Sequence, residues 1–233
     1  MKAVYIIFIF FVTTISVRAQ TVLLHSDQKQ ESAIRNTTRG ENLRRFSHPF
    51  IRLGEVASSD RAGARIIYGS SVDLSFGVRK KYKIGAVYSL GWEIEGIYTD
   101  YNLKQETGKV FPDTLKNKVE RIDVSRLGVT FYNRINVDPA RGNSIGKYID
   151  IGINASLLDA SHITKNDLPD GSKIKGVQTS LPYFNHFSSN VNVKLGTGHF
   201  VFYGSYRITN FIKNAYNYPE LPRITAGIEV GLY

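Results

Sequence analysis

Along most of the chain, apolar and polar residues alternate one by one, the period at which neighbouring side chains of an extended strand point to opposite faces. Val72, Leu74, Phe76 and Val78 share one face, and Asp73, Ser75, Gly77 and Arg79 share the other. The same division sets Ala86, Tyr88, Leu90, Trp92 and Ile94 against Ser89, Gly91, Glu93 and Glu95. It sets Leu127, Val129 and Phe131 against Arg126, Gly128, Thr130 and Arg134, and Ile149, Ile151, Ile153, Ala155 and Leu157 against Tyr148, Asp150, Gly152, Asn154 and Ser156. Further strands are predicted where Val191, Val193 and Leu195 alternate with Asn190, Asn192 and Lys194, and where Phe200, Phe202, Tyr206 and Ile208 alternate with Tyr203, Ser205, Arg207 and Thr209. The segment "ITAGIEVGLY" repeats the pattern up to Tyr233, and no comparable stretch carries a helical apolar stripe.

The joins between these strands also alternate. "RKKYK" (79–83), "VDPARGNS" (137–144) and "GTGH" (196–199) are short and turn-like, whereas 100–118, 159–176 and 213–221 are long and polar. Such a rhythm belongs to strands that run up and down in turn. Counting back from the last strand requires one more upward strand, for which "HPFIRLGEVA" (48–57) is available, with Pro49 expected at its end. The expectation is an all-β, eight-stranded, antiparallel up-and-down barrel over 48–233.

A soluble barrel turns its apolar face inward, whereas a membrane barrel turns it to lipid and gathers aromatic residues near both interfaces. Tyr82, Tyr98, Tyr101, Tyr132, Tyr183, Phe184, Phe187 and Phe211 flank the predicted strands, with Trp92 inside one. The strands reach the ~10 residues that a tilted membrane strand needs. In hydrocarbon every backbone N–H and C=O must find a partner, and a sheet meets that demand by closing on itself. A chain can therefore run to its last residue as strand, because that strand pairs with the first.

Composition narrows the class. The 233 residues are 42% hydrophobic and 12% aromatic, too apolar for a disordered chain, and a single domain is expected. "MKAVYIIFIFFVTTISVRAQ" has a basic Lys2, an apolar core and Val17-Arg18-Ala19 before Gln20, the pattern of a secretory signal peptide over 1–19. A polar tail follows over 20–47. The absence of cysteine removes disulfides, thiolate metal sites, a catalytic thiol and a lipid-anchor cysteine. A net charge of +10 suits phosphate-bearing partners, but no nucleic-acid motif accompanies it, so nucleic acid is not expected as a partner.

The polar faces carry the candidate chemistry. Asp73, Glu93, Glu95, Asp150 and Glu229 should share the lumen with Arg126, Arg134, Lys194 and Arg207, and charges confined there must pair. A pore gated by rearranging those pairs is an alternative, as is a soluble periplasmic barrel that binds a ligand. Glu93 and Glu95 have the spacing of a carboxylate pair, but the arginines make ion pairing the expected role. "HFSSN" places His186, Ser188 and Asn190 near the His-x-Ser-Asn pattern of lipid A deacylases, with the Asn one residue late. No catalytic residue, metal site or cofactor is expected. Lys104, Lys109, Lys116, Lys118, Arg121, Lys165, Lys173 and Lys175 give the long loops a basic bias, expected to be a solvated surface, with attraction to lipopolysaccharide phosphates or an acidic partner as the alternative.

"GHFVFYGSYRITNFI", a short polar loop and "LPRITAGIEVGLY" together resemble the C-terminal hairpin of small outer-membrane β-barrel proteins common in Bacteroidota, a group that includes PorT-like and OmpA-like barrels. The resemblance implies residence in the bacterial outer membrane after signal-peptide cleavage. It also implies recognition of the terminal aromatic, here Tyr233, by the barrel-assembly machinery. Tyr233 is in phase with Glu229 rather than with the apolar positions, a departure from that pattern. A structural or interaction role is expected, as an accessory subunit of an envelope or secretion assembly with an envelope protein partner.

Overall fold

The computed structural model describes residues 40–57 and 63–233; the expected signal peptide, its cleavage site and the tail as far as residue 39 lie outside them. Among the described residues there are nine strands: β1 (Arg45–Ala57), β2 (Val72–Lys83), β3 (Tyr88–Asn102), β4 (Val119–Asn136), β5 (Lys147–Asp167), β6 (Lys173–Thr179), β7 (Phe187–Thr197), β8 (Phe200–Arg207) and β9 (Ile224–Gly231). They form one antiparallel sheet in which β4 pairs with β5 and β1 with β9. Eight of them, all but β6, therefore close into a cylinder. β6 folds back on the part of β5 beyond Asp159, as a hairpin added to the wall.

The cylinder is inside out relative to a soluble protein. Phe76 is 68% exposed, Phe131 67% and Leu157 67%, while Arg79, Arg134, Glu93 and Glu229 are each 0% exposed. Charged residues are almost never buried without partners, and an apolar surface this extensive is not found on a soluble monomer. The arrangement is that of a transmembrane β-barrel, whose apolar residues face lipid and whose polar residues line the inside.

β1 begins at Arg45, and Pro49 sits inside the strand opposite Val78 rather than at its end. The carbonyl of Pro49 accepts from the Leu232 N–H, so this residue's backbone polar groups face β9 rather than β2. Its missing donor therefore falls where β9 runs out, and the β1–β2 ladder is intact.

Two predicted joins are strand instead. Residues 79–83 belong to β2, because Arg79 and Lys81 continue the lumenal phase and are buried; the turn lies at 84–87. Most of 159–176 belongs to β5 and β6, whose polarity reflects exposure above the wall rather than absence of a ladder. The predicted aromatic belt is also divided. Tyr82, Tyr98, Phe187 and Trp92 lie on the outer face, whereas Tyr101, Tyr132, Tyr183, Phe184 and Phe211 are buried inside. Tyr132 keeps step with Thr130 and Arg134, so its strand phase directs it into the lumen.

Two interior regions result. The middle and the short-turn end of the cylinder are filled by ionic and aromatic side chains. At the long-loop end, Val56, Tyr101, Phe111, Ile122, Leu158, Phe184, Phe211 and Leu221 join in a dry apolar cluster. The loops over this cap were expected to be solvated and basic, yet they contribute Phe111, Leu181 and Leu221 to it.

Candidate functional site: an ionic belt across the lumen

Strand alternation directs Asp73, Glu93, Glu95, Arg126, Arg134, Asp150, Lys194, Arg207 and Glu229 into the lumen, and the structure buries all nine. They are grouped in tiers. The central tier joins Glu93, Glu95 and Glu229 to Lys194 and to two further arginines, Arg52 and Arg79. Arg52 donates to Glu95 Oε2 at 2.8 Å and to Glu229 Oε2 at 3.0 Å, and lies 3.4 Å from Glu93 Oε2. Arg79 donates from Nε to Glu93 Oε1 at 2.7 Å and meets Glu229 Oε1 at 2.6 Å. Lys194 Nζ lies 2.7 Å from both Glu93 oxygens and 3.4 Å from Glu229 Oε2. The remaining Glu95 oxygen accepts from Thr130 and Asn154.

Three cations thus face three carboxylates, and this stoichiometry lets the set be buried. A buried ion whose partner is removed costs about 3–5 kcal/mol, so the tier is stable only as a set. The Phe50 ring adds a face near both guanidiniums, with centroid distances of 5.2 Å to Arg52 and 5.1 Å to Arg79.

The other tiers are simpler. Toward the long loops, Asp73 accepts from Thr99 at 2.7 Å, Tyr203 at 3.2 Å and Arg126 at 3.3 Å. Toward the short turns, Arg134 makes a two-pronged pair with Asp150 at 2.7 and 2.8 Å, its guanidinium 3.4 Å from the Tyr148 ring centroid. Two glycines make room for lumenal rings. A Cβ on Gly196 would stand 2.1 Å from Tyr148 Cζ, and one on Gly91 would stand 2.2 Å from Tyr132 Cζ.

Arg207 lies beneath the cap. It donates to Glu220 at 2.7 Å and to the Leu221 carbonyl at 2.7 Å, with its guanidinium 3.4 Å from the Phe211 ring centroid. Glu220 in turn accepts from the Phe211 and Ile212 N–H groups, which ties the last long loop to the wall.

Above the wall, at the long-loop end of β4, buried Glu120 anchors another loop by accepting from Lys109 and Gln105 and contacting His162 Nε2 at 2.8 Å. Burial alone would raise its carboxyl pKa, but hydrogen bonds from His162 and Lys109 outweigh that and hold it down to about 2. Lys109, one of the predicted surface cations, is therefore an internal pin.

The void among Arg52, Asp73, Glu95, Arg126, Asn154 and Tyr203 is about 10 Å³. A single water needs about that much room. His186 and Ser188 are not brought together: His186 is exposed ahead of β7, while Ser188 is buried with its Oγ 3.3 Å from the Asn190 amide. Among the described residues, no group of three or more histidine or acidic side chains is arranged to hold a metal. Tyr233 turns back over the short-turn rim, stacked on His199 at 4.2 Å and edge-on to Phe46 at 5.1 Å.

Arg52 and Arg79 complete the belt but were not among the nine expected residues. Arg52 shows as the one charge in "PFIRL", in the strand with the poorest alternation.

The fold and the belt together define a closed eight-stranded transmembrane barrel with a filled lumen. No protein-family model matches the chain, and no curated protein matches it. Among solved structures, it is similar to Ail, the attachment invasion locus protein of Yersinia pestis. The complex of Ail with the heparin analogue sucrose octasulfate has a TM-score of 0.33 at 12% identity, covering 79% of this chain and 94% of that one. A second crystal structure of Ail gives 0.32 at 12% identity, covering 79% and 93%. The closed barrel is defined by its own strand pairing, β4 with β5 and β1 with β9.

Proposed function

We propose that this is a bacterial outer-membrane barrel protein with a structural or interaction role, serving as an accessory subunit of an envelope or secretion assembly rather than as an enzyme or a conduit. The observation that carries this reading is the filled lumen: a charge-neutral central tier, a void of about 10 Å³ and a dry apolar cap in series. A cylinder of eight strands leaves room for side chains and little else. The outward apolar face supports membrane residence, and the resemblance of the terminal hairpin to Bacteroidota barrels supports the outer membrane. Recognition of Tyr233 by the assembly machinery belongs to the same reading, although its ring packs inward on Phe46 and His199.

In this setting the short turns face the periplasm and the long loops face outward. Exposed Lys104, Lys116, Lys173 and Lys175 then meet lipopolysaccharide phosphates or an acidic envelope partner.

Membrane fractionation with gel electrophoresis before and after boiling tests the core of this reading. The expected product pellets with outer membrane and changes mobility on boiling; a soluble periplasmic product with unchanged mobility would overturn it. Steady conductance in planar bilayers would revive the pore, and loss of fatty-acid release from lipid A on Ser188→Ala would revive the hydrolase.

A further inference from the structure

The outer wall is not uniform. On β2 and β3 its rows step from Lys80–Trp92 through Val78–Ile94 to Phe76–Gly96. Gly96 has no side chain, and a Cβ there would stand 3.0 Å from the Phe76 ring. The Phe76 ring therefore lies over Gly96, and beside it runs an apolar groove of about 670 Å³, walled by that ring with Ile51, Val78, Trp92 and Leu127. The volume is within the range of small-molecule sites, roughly 300–1,000 Å³.

At its short-turn end the groove adjoins a second hollow, about 540 Å³, lined by Arg45, Ser47 and Lys80. The two are neighbours by register: Ser47 pairs with Lys80, and Pro49, one row up on the outer face, pairs with Val78. The Lys80 ammonium lies 5.7 Å from the ring centroids of both Tyr82 and Trp92. Among the described residues neither Lys80 nor Arg45 has a carboxylate partner within 4.0 Å. An apolar trough that ends in unneutralised cations beside interfacial aromatics is complementary to an amphiphile with an acyl tail and an anionic head.

We propose that this wall binds an anionic glycerophospholipid of the periplasmic leaflet, with its phosphate on Lys80 and Arg45 and one acyl chain laid in the groove beside the Phe76 ring. The inference rests on the outer-membrane reading, which puts the short turns, and hence Lys80, at that leaflet. Trp92 and Tyr82 set the depth of the headgroup, and Phe76 and Leu127 fix the path of the chain. A zwitterionic lipid fills the same trough but gains less from the two cations.

Native mass spectrometry of the full chain in mild detergent, with phosphatidylglycerol or phosphatidylcholine added at equal concentration, tests it. Phosphatidylglycerol should be retained at roughly tenfold lower concentration. Lys80→Gln with Arg45→Gln should bring its retention down to that of phosphatidylcholine. Gly96→Leu should lower retention of both lipids by pushing the Phe76 ring out into the trough. Equal retention of the two lipids by the native chain, or a preference untouched by the double charge variant, overturns the proposal. Mobility change on boiling, measured on every variant, separates the two readings: its persistence without lipid preference sinks this site alone, and its absence in the native chain sinks the barrel reading.

Discussion

The two interiors of this barrel are built on opposite chemistry. The belt is made of ions that are tolerable only together, whereas the cap is made of side chains each of which gains from leaving water on its own. Arg79 and Glu93 need each other, and Glu93 also needs Lys194 and Arg52, so loss of one member strands the others. Phe111, Ile122 and Phe211 contribute through contact and area, and loss of one leaves the rest packed. The belt ties the strands of the wall together through ion pairs, and the cap closes the long-loop end through packing.

The sharpest way to break this contrast is Glu93→Gln, which leaves Arg79 and Lys194 short of charge. It should cost about 3–5 kcal/mol and appear as loss of the heat-modifiable band or a large drop in the urea midpoint. An unchanged midpoint would mean the tier is not a set. Phe211→Ala should cost about 3–5 kcal/mol in the cap and also remove the face beneath Arg207. Its signature is faster protease cutting in the long loops while the barrel band survives; loss of the band instead would show that cap and wall are one unit.

Gly196→Val, which drives a side chain into Tyr148 and so disturbs the Arg134 pair, should cost about 1–3 kcal/mol. Paired with Tyr148→Ala much of that loss should return, and absence of rescue would mean the ring is not the obstacle. The smallest effect concerns pH. Because Glu120 is depressed to about 2 in the folded state, its contribution is complete above the ordinary carboxyl value of 4.5 and fades as pH falls toward 2. Loop protease sensitivity should be flat from neutrality to pH 5 and rise below about 4.5, and Glu120→Gln should abolish that rise.

How much of this was readable beforehand follows the same division. Period-two alternation reports which way a strand residue points, so the buried positions of Asp73, Arg126, Glu93 and Glu229 were legible one residue at a time. Pairing partners were not, because Arg52 and Glu229 are far apart in sequence and are brought opposite one another only by β1–β9 closure. The cap was illegible for a different reason. Its members come from strand ends and from loops, where Phe111 and Leu221 have no periodicity to betray a direction, and where Tyr101 and Phe184 look like interfacial aromatics. Lys109 misled similarly, since its partner Glu120 belongs to the next strand.

The Arg52–Glu229 contact lies across the seam where the first and last strands meet. Until β1 and β9 pair, Arg52 and Arg79 on one edge of the open wall are held apart from Glu229 on the other. An unsealed intermediate is thus overcharged at its heart as well as open at its edge, and both faults are mended by the same docking event. Sealing and neutralisation are one step, which makes a half-zipped wall a poor guest of hydrocarbon and a finished one a stable resident.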